Sequence, residues 1–580
     1  MTATLQVLLA SATTKAVKRP SEEPRRPHLV HVVVDDLGWH NTQLSNAEVI
    51  SPNIVALQRS GISLERHYTY RYCSPTRCSL LSGRLPHHVS EANFQNDYIG
   101  GFIHRNMTII AAKLKAAGYR TAHVGKWHAG MSSPALVPTA RGFDSSLGYL
   151  AGAEDHWQQR ATATISCAGF PTVDRTQPVD LLHNGRPATG WNGTSFGGYL
   201  WEQEALRVVS EHPLSDPLYL YYAFQDCHSP QQAPSKYTDL YPQLTDRCSS
   251  DLAAVAHWPK SDCSDCGIST RRVYNAMLSF ADGALGNLTT LLRSRGLWEN
   301  TLLIWHSDNG GPSGSSSNSA NNYPLRGSKY SDFEGGVRVR AFAAGGLIPP
   351  HRAGATVDAF LHVCDWYATF LRLAGSSLHD ESAAVMGLPQ PDSIDAWDVL
   401  MGTANHSRVE VPLSVGDAAS GAKSGSGGGL IIAPFKILLG NQTPQVCACS
   451  KSLFSLHSYV TRSFGLEQGY TPPDYPSATH ILPTFPNGEG ETLDCGSTGC
   501  LFDIIRDPNE THNLAAEMPA KLEELRARFH EIAQTKFQTP GLTPPCASFA
   551  RVVAENGGFW APFNDSLPYP VRPGAAFAEG

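Results

Sequence analysis

The stretch Cys73-Ser74-Pro75-Thr76-Arg77-Cys78 combines a thiol, a helix-starting proline and an arginine within one turn. Proline suits the first helical position, so the pattern reads as a turn entering a helix, with Cys73 at its mouth. A helix N-terminus presents free N–H groups and the positive end of a dipole, which suits an anion. Arg77, one turn in, can hold that anion or the reactive side chain with a forked pair of donors. The same residues also fit a buried or disulfide-bonded Cys73/Cys78 pair beside a surface arginine.

A second chemistry is carried by oxygen. Asp35 and Asp36 are adjacent carboxylates after the apolar run Val32-Val33-Val34, and Asp308 and Asn309 follow Leu302 to Trp305. Two carboxylates side by side repel and resist burial, so a cation between them is the economical explanation. An all-oxygen set implies a hard ion, calcium or magnesium. Asp-Asp-Leu-Gly and Asp-Asn-Gly are equally turn sequences. Proton donors and acceptors come from Gly125-Lys126-Trp127-His128 and from His228. If the strand continues past Lys126, then Lys126 and His128 fall on one face, two residues apart. Lys329, within Pro324-Leu325-Arg326-Gly327-Ser328-Lys329, has the features of an ordinary surface lysine when taken alone.

Four of these groups, Asp35-Asp36, Gly125 to His128, His228 and Asp308-Asn309, lie at or shortly after an expected strand: Leu29 to Val34, Arg120 to Val124, Leu218 to Phe224 and Leu302 to Trp305. Between them, Ile109 to Ala117, Trp201 to Ser210 and Val273 to Arg293 read as helices. Alternating strands and helices over the first 400 or so residues imply an α/β domain with a largely buried sheet. In such sheets the loops at the carboxyl ends of strands build the ligand site, so four distant clusters can converge on one pocket. Residues 419–429, rich in Gly and Ser, read as a connection, with a new strand over Leu430 to Leu439. Ala520 to Ala533 places Leu522, Leu525, Phe529 and Ile532 at helical spacing, and that helix is expected on a small antiparallel sheet. The domain reading is a lead-in with a weak signal peptide over 1–26, a catalytic domain over 27–415, a linker over 416–429 and a smaller domain over 430–580.

A chain of 580 residues exceeds a single core, in keeping with two domains. A net charge of -7 argues against general nucleic-acid binding. No run reaches the ~18 apolar residues of a spanning helix. Thirteen cysteines are an odd number, and setting Cys73 apart as a reactive residue would leave twelve, an even number that suits disulfides. The close pairs Cys263/Cys266, Cys447/Cys449 and Cys495/Cys500 lack a second ligand pair at zinc-finger spacing, which favours disulfides over zinc. Sequons at Asn106, Asn192, Asn287, Asn405, Asn441, Asn509 and Asn564 add to the expectation of a secretory, extracellular or lysosome-like setting.

Cys73 to Arg77, continued through Ser82-Gly83-Arg84, resembles the signature of type I sulfatases, and within them the arylsulfatase B, I and J group. The resemblance extends over His28 to about Gly375, through Asp35-Asp36-Leu37-Gly38-Trp39, Gly125 to His128, Arg141-Gly142-Phe143-Asp144 and Pro324 to Arg338, and resumes at Leu501 to Leu514. It implies an alkaline-phosphatase-like sandwich, a large mixed sheet flanked by helices, with a smaller C-terminal α+β domain. It implies that Cys73 is oxidised to formylglycine by a formylglycine-generating enzyme. It also implies that Asp35, Asp36, Asp308 and Asn309, with residue 73, bind calcium. Arg77, Lys126, His128, His228 and Lys329 would then be active-site bases and sulfate clamps. The implied reaction is attack of a hydrated aldehyde oxygen on sulfur. Lys329 or His228 protonates the leaving alcohol, and His128 takes the proton that lets sulfate depart. The substrate would be a sulfated carbohydrate or an aryl sulfate. Thr76 stands where serine is commoner, and Pro312 to Asn322 is a longer Ser/Gly/Asn stretch beside the pocket. A phosphatase or phosphonate hydrolase of the same superfamily, and a silent glycan-binding homologue with an unmodified cysteine, are the rival expectations.

Overall fold

The computed structural model describes residues 25–92, 102–162, 177–244, 271–312, 320–415, 428–442, 493, 495–537 and 546–562. A ten-stranded mixed sheet forms its centre, in the order β10-β2-β9-β8-β1-β7-β3-β4-β5-β6. The strands are β1 (His28–Val34), β2 (Ile62–Tyr68), β3 (Arg120–Lys126), β4 (Ser145–Tyr149), β5 (Leu182–His183), β6 (Arg186–Pro187), β7 (Leu218–Ala223), β8 (Thr301–Ser307), β9 (Arg338–Ala344) and β10 (Ala355–His362). The run β8-β1-β7-β3-β4 is parallel throughout. The antiparallel pairings are β8/β9, β2/β9, β4/β5 and β5/β6.

Alternation of side chains splits each central strand between two cores. Leu29, Val33, Tyr219, Tyr221 and Ile304 pack on one face with the helices at Cys73–Ser82, Ile110–Ala116 and Asp365–Ala374. Val30, Val32, Val34, Leu220, Tyr222 and Trp305 pack on the other with Gly197–Glu211 and Arg271–Ser294. A sheet covered on both faces needs apolar residues at every position, which is why its strands read as continuous hydrophobic runs. This is the sandwich that the resemblance implies.

The second sheet is antiparallel, in the order β11-β12-β13-β14. It comprises β11 (Glu410–Ser414), β12 (Gly428–Ile432), β13 (Phe435–Leu439) and β14 (Cys500–Asp503). Its first strand lies ahead of residue 416, so the sheet draws on chain assigned from sequence to the catalytic domain. The single strand expected over Leu430 to Leu439 is instead a hairpin, turning at Ala433-Pro434, where proline cannot donate to a ladder. Leu525, Phe529 and Ile532 of the helix Pro519–Ala533 pack against Leu430, Ile437, Leu439 and Leu501, as the helical spacing predicts. The opposite face sets Val411, Leu413, Ile431, Leu438 and Phe502 against Tyr68, Phe333, Val337 and Phe360 of the main domain. Cys495–Cys500 forms a disulfide, whereas Cys73, Cys78, Cys227 and Cys364 are buried free thiols. Cys167, Cys248, Cys263, Cys266, Cys447 and Cys449 lie outside the described residues. No described helix is long and apolar enough to cross a membrane.

Candidate active site

Register brings the carboxyl ends of β1 and β8 level, because Val34 lies opposite Ser307. Asp35 and Asp36 therefore emerge beside Asp308 and Asn309, all four being at most 1% exposed. The end of β7 is stitched to β1 by Asp35 N–H to Asp226 O (2.9 Å) and Cys227 N–H to Asp35 O (2.6 Å), which carries His228 to the same edge. Asp36 takes a left-handed backbone (φ 60), and the Tyr274 hydroxyl bonds its carbonyl at 2.8 Å. The loop after Asn309 runs so close to its neighbour that a Cβ on Gly310 would lie 1.8 Å from Gly335 O, which only glycine permits.

Cys73 opens the helix Cys73–Ser82, whose ten residues are all buried. The Thr76 hydroxyl accepts Tyr70 N–H at 3.0 Å and donates to Tyr72 O at 3.2 Å, fixing the extended approach to Cys73. The methyl that distinguishes threonine from serine leaves these bonds intact. Gly83 closes the helix with φ 69, and Arg84 anchors it through Asp380 Oδ2 at 2.7 Å. Cys73 Sγ lies 3.5 Å from Asp35 Oδ1. One ligand atom each of Asp35, Asp36, Cys73 and His228 falls within 4.8 Å of the others. His228 is thus closer to the acidic group than its proton-transfer role alone suggested. Cys78 is not Cys73's partner, and burial pushes its thiol up to about 12.

Basic groups surround these acids. Arg77 Nε and Nη2 both bond Asp308 Oδ2, at 3.0 and 2.8 Å, and Nη1 reaches Lys126 O at 3.2 Å. Lys126 Nζ is 2.5 Å from Asp35 Oδ2, and Lys329 Nζ 2.6 Å from Asp36 Oδ1. His228 Nε2 lies 3.6 Å from Asp36 Oδ2. Burial, then the neighbouring Asp308, holds the Asp35 carboxyl well above the usual range despite Lys126. Burial also opposes ionisation of Asp36 and Asp308, but Lys329 and His228 hold the first below its ordinary value and Arg77 and Lys126 hold the second. Burial lowers His228 against the pull of Asp36.

Asn309 Nδ2 bonds Asp36 Oδ1 at 2.7 Å, yet its buried Oδ1 has no hydrogen-bond partner. A buried amide oxygen left without a proton donor, on a residue that bonds one of three clustered carboxylates, is what a hard cation would complete. The residues present fit such an ion.

The expected Lys126/His128 face does not form. The strand ends at Lys126, and His128 turns into the left-handed region (φ 50), its ring standing over Gly152. Period-two alternation cannot be extended across that turn. The sequence reading did not single out Tyr221 and Tyr149, within electrostatic reach of Arg77 and Asp35, or Tyr330 beside Lys329. For Tyr221, alternation from the strand end was the available signal, whereas Tyr330 had only its place next to Lys329.

A buried acid–thiol–base centre thus sits at the carboxyl edge of a large mixed sheet covered by helices on both faces. The family profile described as Sulfatase matches residues 27–376. The chain belongs to the sulfatase family and is a sulfuric ester hydrolase. It is 27% identical to arylsulfatase J of Mus musculus over 558 residues, 93% of this chain and 80% of that protein. It is 27% identical to N-acetylgalactosamine-6-sulfatase of Mus musculus, over 64% of this chain and 67% of that one. Among solved structures, Ps i-CgsB in complex with k-i-k-neocarrahexaose shares the fold (TM-score 0.65, 21% identity, 92% of this chain and 98% of that chain). So does the PsFucS1 sulfatase from Pseudoalteromonas sp. (TM-score 0.61, 21% identity, 89% and 92%).

Proposed function

We propose that this enzyme hydrolyses sulfate esters of carbohydrates, with Cys73 converted to formylglycine and a calcium ion held by Asp35, Asp36, Asp308, Asn309 and residue 73. The observation that carries the reading is Cys73 at a helix N-terminus, 3.5 Å from Asp35 Oδ1 and within 4.8 Å of a donor atom of both Asp36 and His228. The aldehyde and the cation would together supply an oxygen nucleophile at neutral pH, with its charge offset. The chain's own side chains do the rest. Arg77 fixes Asp308 and so holds one side of the acidic cluster in place. Lys126, on the Asp35 side, neutralises charge that builds on the sulfate oxygens. Lys329 Nζ and His228 Nε2, on the Asp36 side, stand where a leaving alkoxide can take a proton. His128 is assigned the proton withdrawn as sulfate departs. The carbohydrate assignment follows similarity to an enzyme solved with a neocarrahexaose and to N-acetylgalactosamine-6-sulfatase. Maturation would require a formylglycine-generating enzyme and passage through a secretory compartment.

A phosphate or phosphonate ester is the second reading, favoured by the three cationic side chains around the acids and by the shared fold of the phosphonate monoester hydrolase of Agrobacterium radiobacter (TM-score 0.51). Two measurements test the proposal, and the second separates the two readings. Peptide mass analysis across residue 73 in protein from the native host should show the aldehyde. Matched aryl esters should show sulfate preferred over phosphate in kcat/KM. An intact thiol in active protein, or a large phosphate preference, would overturn the proposal.

A further inference from the structure

Tyr330 is held in a conformation that side chains avoid. Its φ is +76, in the left-handed region that residues with a Cβ disfavour and that persists where surrounding contacts enforce it. Its N–H bonds Arg71 O at 2.7 Å, tying the Lys329-Tyr330 turn to the segment that enters the Cys73 helix. The ring is half-buried, 5.7 Å from the half-buried Tyr72 ring, and Lys329 Nζ lies 5.4 Å from its centroid. Tyr72 is pinned by its hydroxyl to Glu91 O at 2.7 Å. The Tyr330 hydroxyl, in contrast, has no hydrogen-bond partner among the described residues. Lys329 draws the phenol down, but burial together with Cys73, Asp36 and Asp35 pushes it up on balance, so the ring stands within electrostatic reach of the reactive centre. Glycine would fit this backbone without strain, and any apolar residue could fill the space. A tyrosine with an unused hydroxyl beside the group assigned to the leaving alcohol has a use that neither packing nor the turn supplies.

We infer that Tyr330 is a substrate-positioning residue, forming with Tyr72 an aromatic wall against the sugar that carries the sulfate, its hydroxyl donating to an oxygen of that sugar. Aromatic rings present a flat apolar face with a polar tip, which matches the C–H face and hydroxyl rim of a pyranose. The inference rests on the carbohydrate-sulfatase reading. It predicts discrimination between a sugar, which engages both ring and hydroxyl, and a small aryl sulfate, which engages the ring alone.

The test compares full-length wild type, Y330F and Y330G, each normalised to the aldehyde content at residue 73. The substrates are 4-nitrophenyl sulfate and monosulfated galactose, N-acetylgalactosamine and fucose. Y330F retains volume and backbone and should lose about ten-fold in kcat/KM on the best sugar, mainly through KM, but less than about three-fold on the aryl ester. Y330G relieves the strained backbone and should lose at least a further five-fold or so on the sugar while melting no lower than wild type. Equal losses on the two ester classes, or none on either, would overturn the assignment. Wild type that cleaves the aryl ester but none of the sugars would overturn it together with the carbohydrate reading. Wild type that cleaves neither ester would sink the sulfatase mechanism itself.

Discussion

The Arg77–Asp308 pair offers the sharpest test of the electrostatics. Both side chains are fully buried, and two guanidinium nitrogens converge on one carboxylate oxygen, at 3.0 and 2.8 Å. Replacing Arg77 by Met leaves a buried carboxylate with Asp35 nearby and no cation of its own. Breaking such a pair from one side costs about 3–5 kcal/mol, whereas removing both charges is far milder. Asp308→Asn strands the guanidinium in the same way, since its next acid, Asp35 Oδ1, is 3.9 Å away. The double variant should therefore be less destabilised than the sum of the singles by about 2–3 kcal/mol. Urea unfolding followed by the fluorescence of the eleven tryptophans, in EDTA to remove metal effects, reads this directly. The sign with pH is also fixed. Asp308 is held below its ordinary value in the folded chain, so its contribution is present above its unfolded pKa and lost as pH falls toward the folded one. The deficit of Arg77→Met should accordingly be largest at neutral pH and shrink below about pH 4. Activity should fall by about 10²–10³ in each single variant, with no recovery in the double, because stability and charge placement are separate requirements. Strictly additive singles, or an Arg77→Met variant with the wild-type midpoint, would refute the reasoning.

Two further outcomes are expected. Lys436 bridges Glu334 and Glu510 in the interior between the two sheets, at 3.0 and 2.8 Å, and burial raises the Glu510 carboxyl to about 7. A raised acid contributes stability below its unfolded pKa and loses it as pH rises through the folded one. Glu510→Gln should thus gain about 2–3 kcal/mol relative to wild type between pH 5 and pH 8 or so, read as urea midpoints at the two pH values. At Gly125, φ is +94 and an added Cβ would sit 1.9 Å from Ala223 O on β7. Gly125→Ala should lose more than about 4 kcal/mol and yield little folded protein by circular dichroism, and a wild-type melt would contradict the register of β3 on β7.

The placement of the acidic cluster was legible where local rules and fold rules agreed. Val32-Val33-Val34 running into two aspartates is intelligible once buried parallel strands are known to deliver polar residues at their carboxyl ends. Pairings were not legible, because Lys126 meets Asp35 across 91 residues and Arg77 meets Asp308 across 231. Nothing local distinguishes those partners from other lysines and aspartates. The shared face of Lys126 and His128 does not form because the backbone changes hand at His128, whose N–H donates to Leu150 O at 3.2 Å. Leu430 to Leu439 looked like one strand because both arms of the hairpin are apolar, although Pro434 marked the turn. That β11 joins the second sheet from ahead of the Gly/Ser stretch is a property of long-range pairing, which composition does not encode.

Charge balance ties these observations to function. Asp35, Asp36 and Asp308 are opposed by Arg77, Lys126 and Lys329, a nominal sum of zero in the buried centre. That balance alone gives no reason to attract an anion, and it leaves the Asp35 carboxyl pushed toward its neutral form and Asn309 Oδ1 without a partner. A divalent cation would resolve both faults, since it favours the ionised carboxylate and accepts the orphan oxygen as a ligand. It would also change the sum to about +2 in formal charge, which a singly charged sulfate ester only partly neutralises. Cation binding and substrate binding are then linked by the same electrostatics, each strengthening the other by an equal factor. Selection of the sulfate group belongs to this buried centre. Selection among alcohols must be made by residues that touch the leaving group, and at the Lys329 side that surface is formed by Tyr330 and Tyr72.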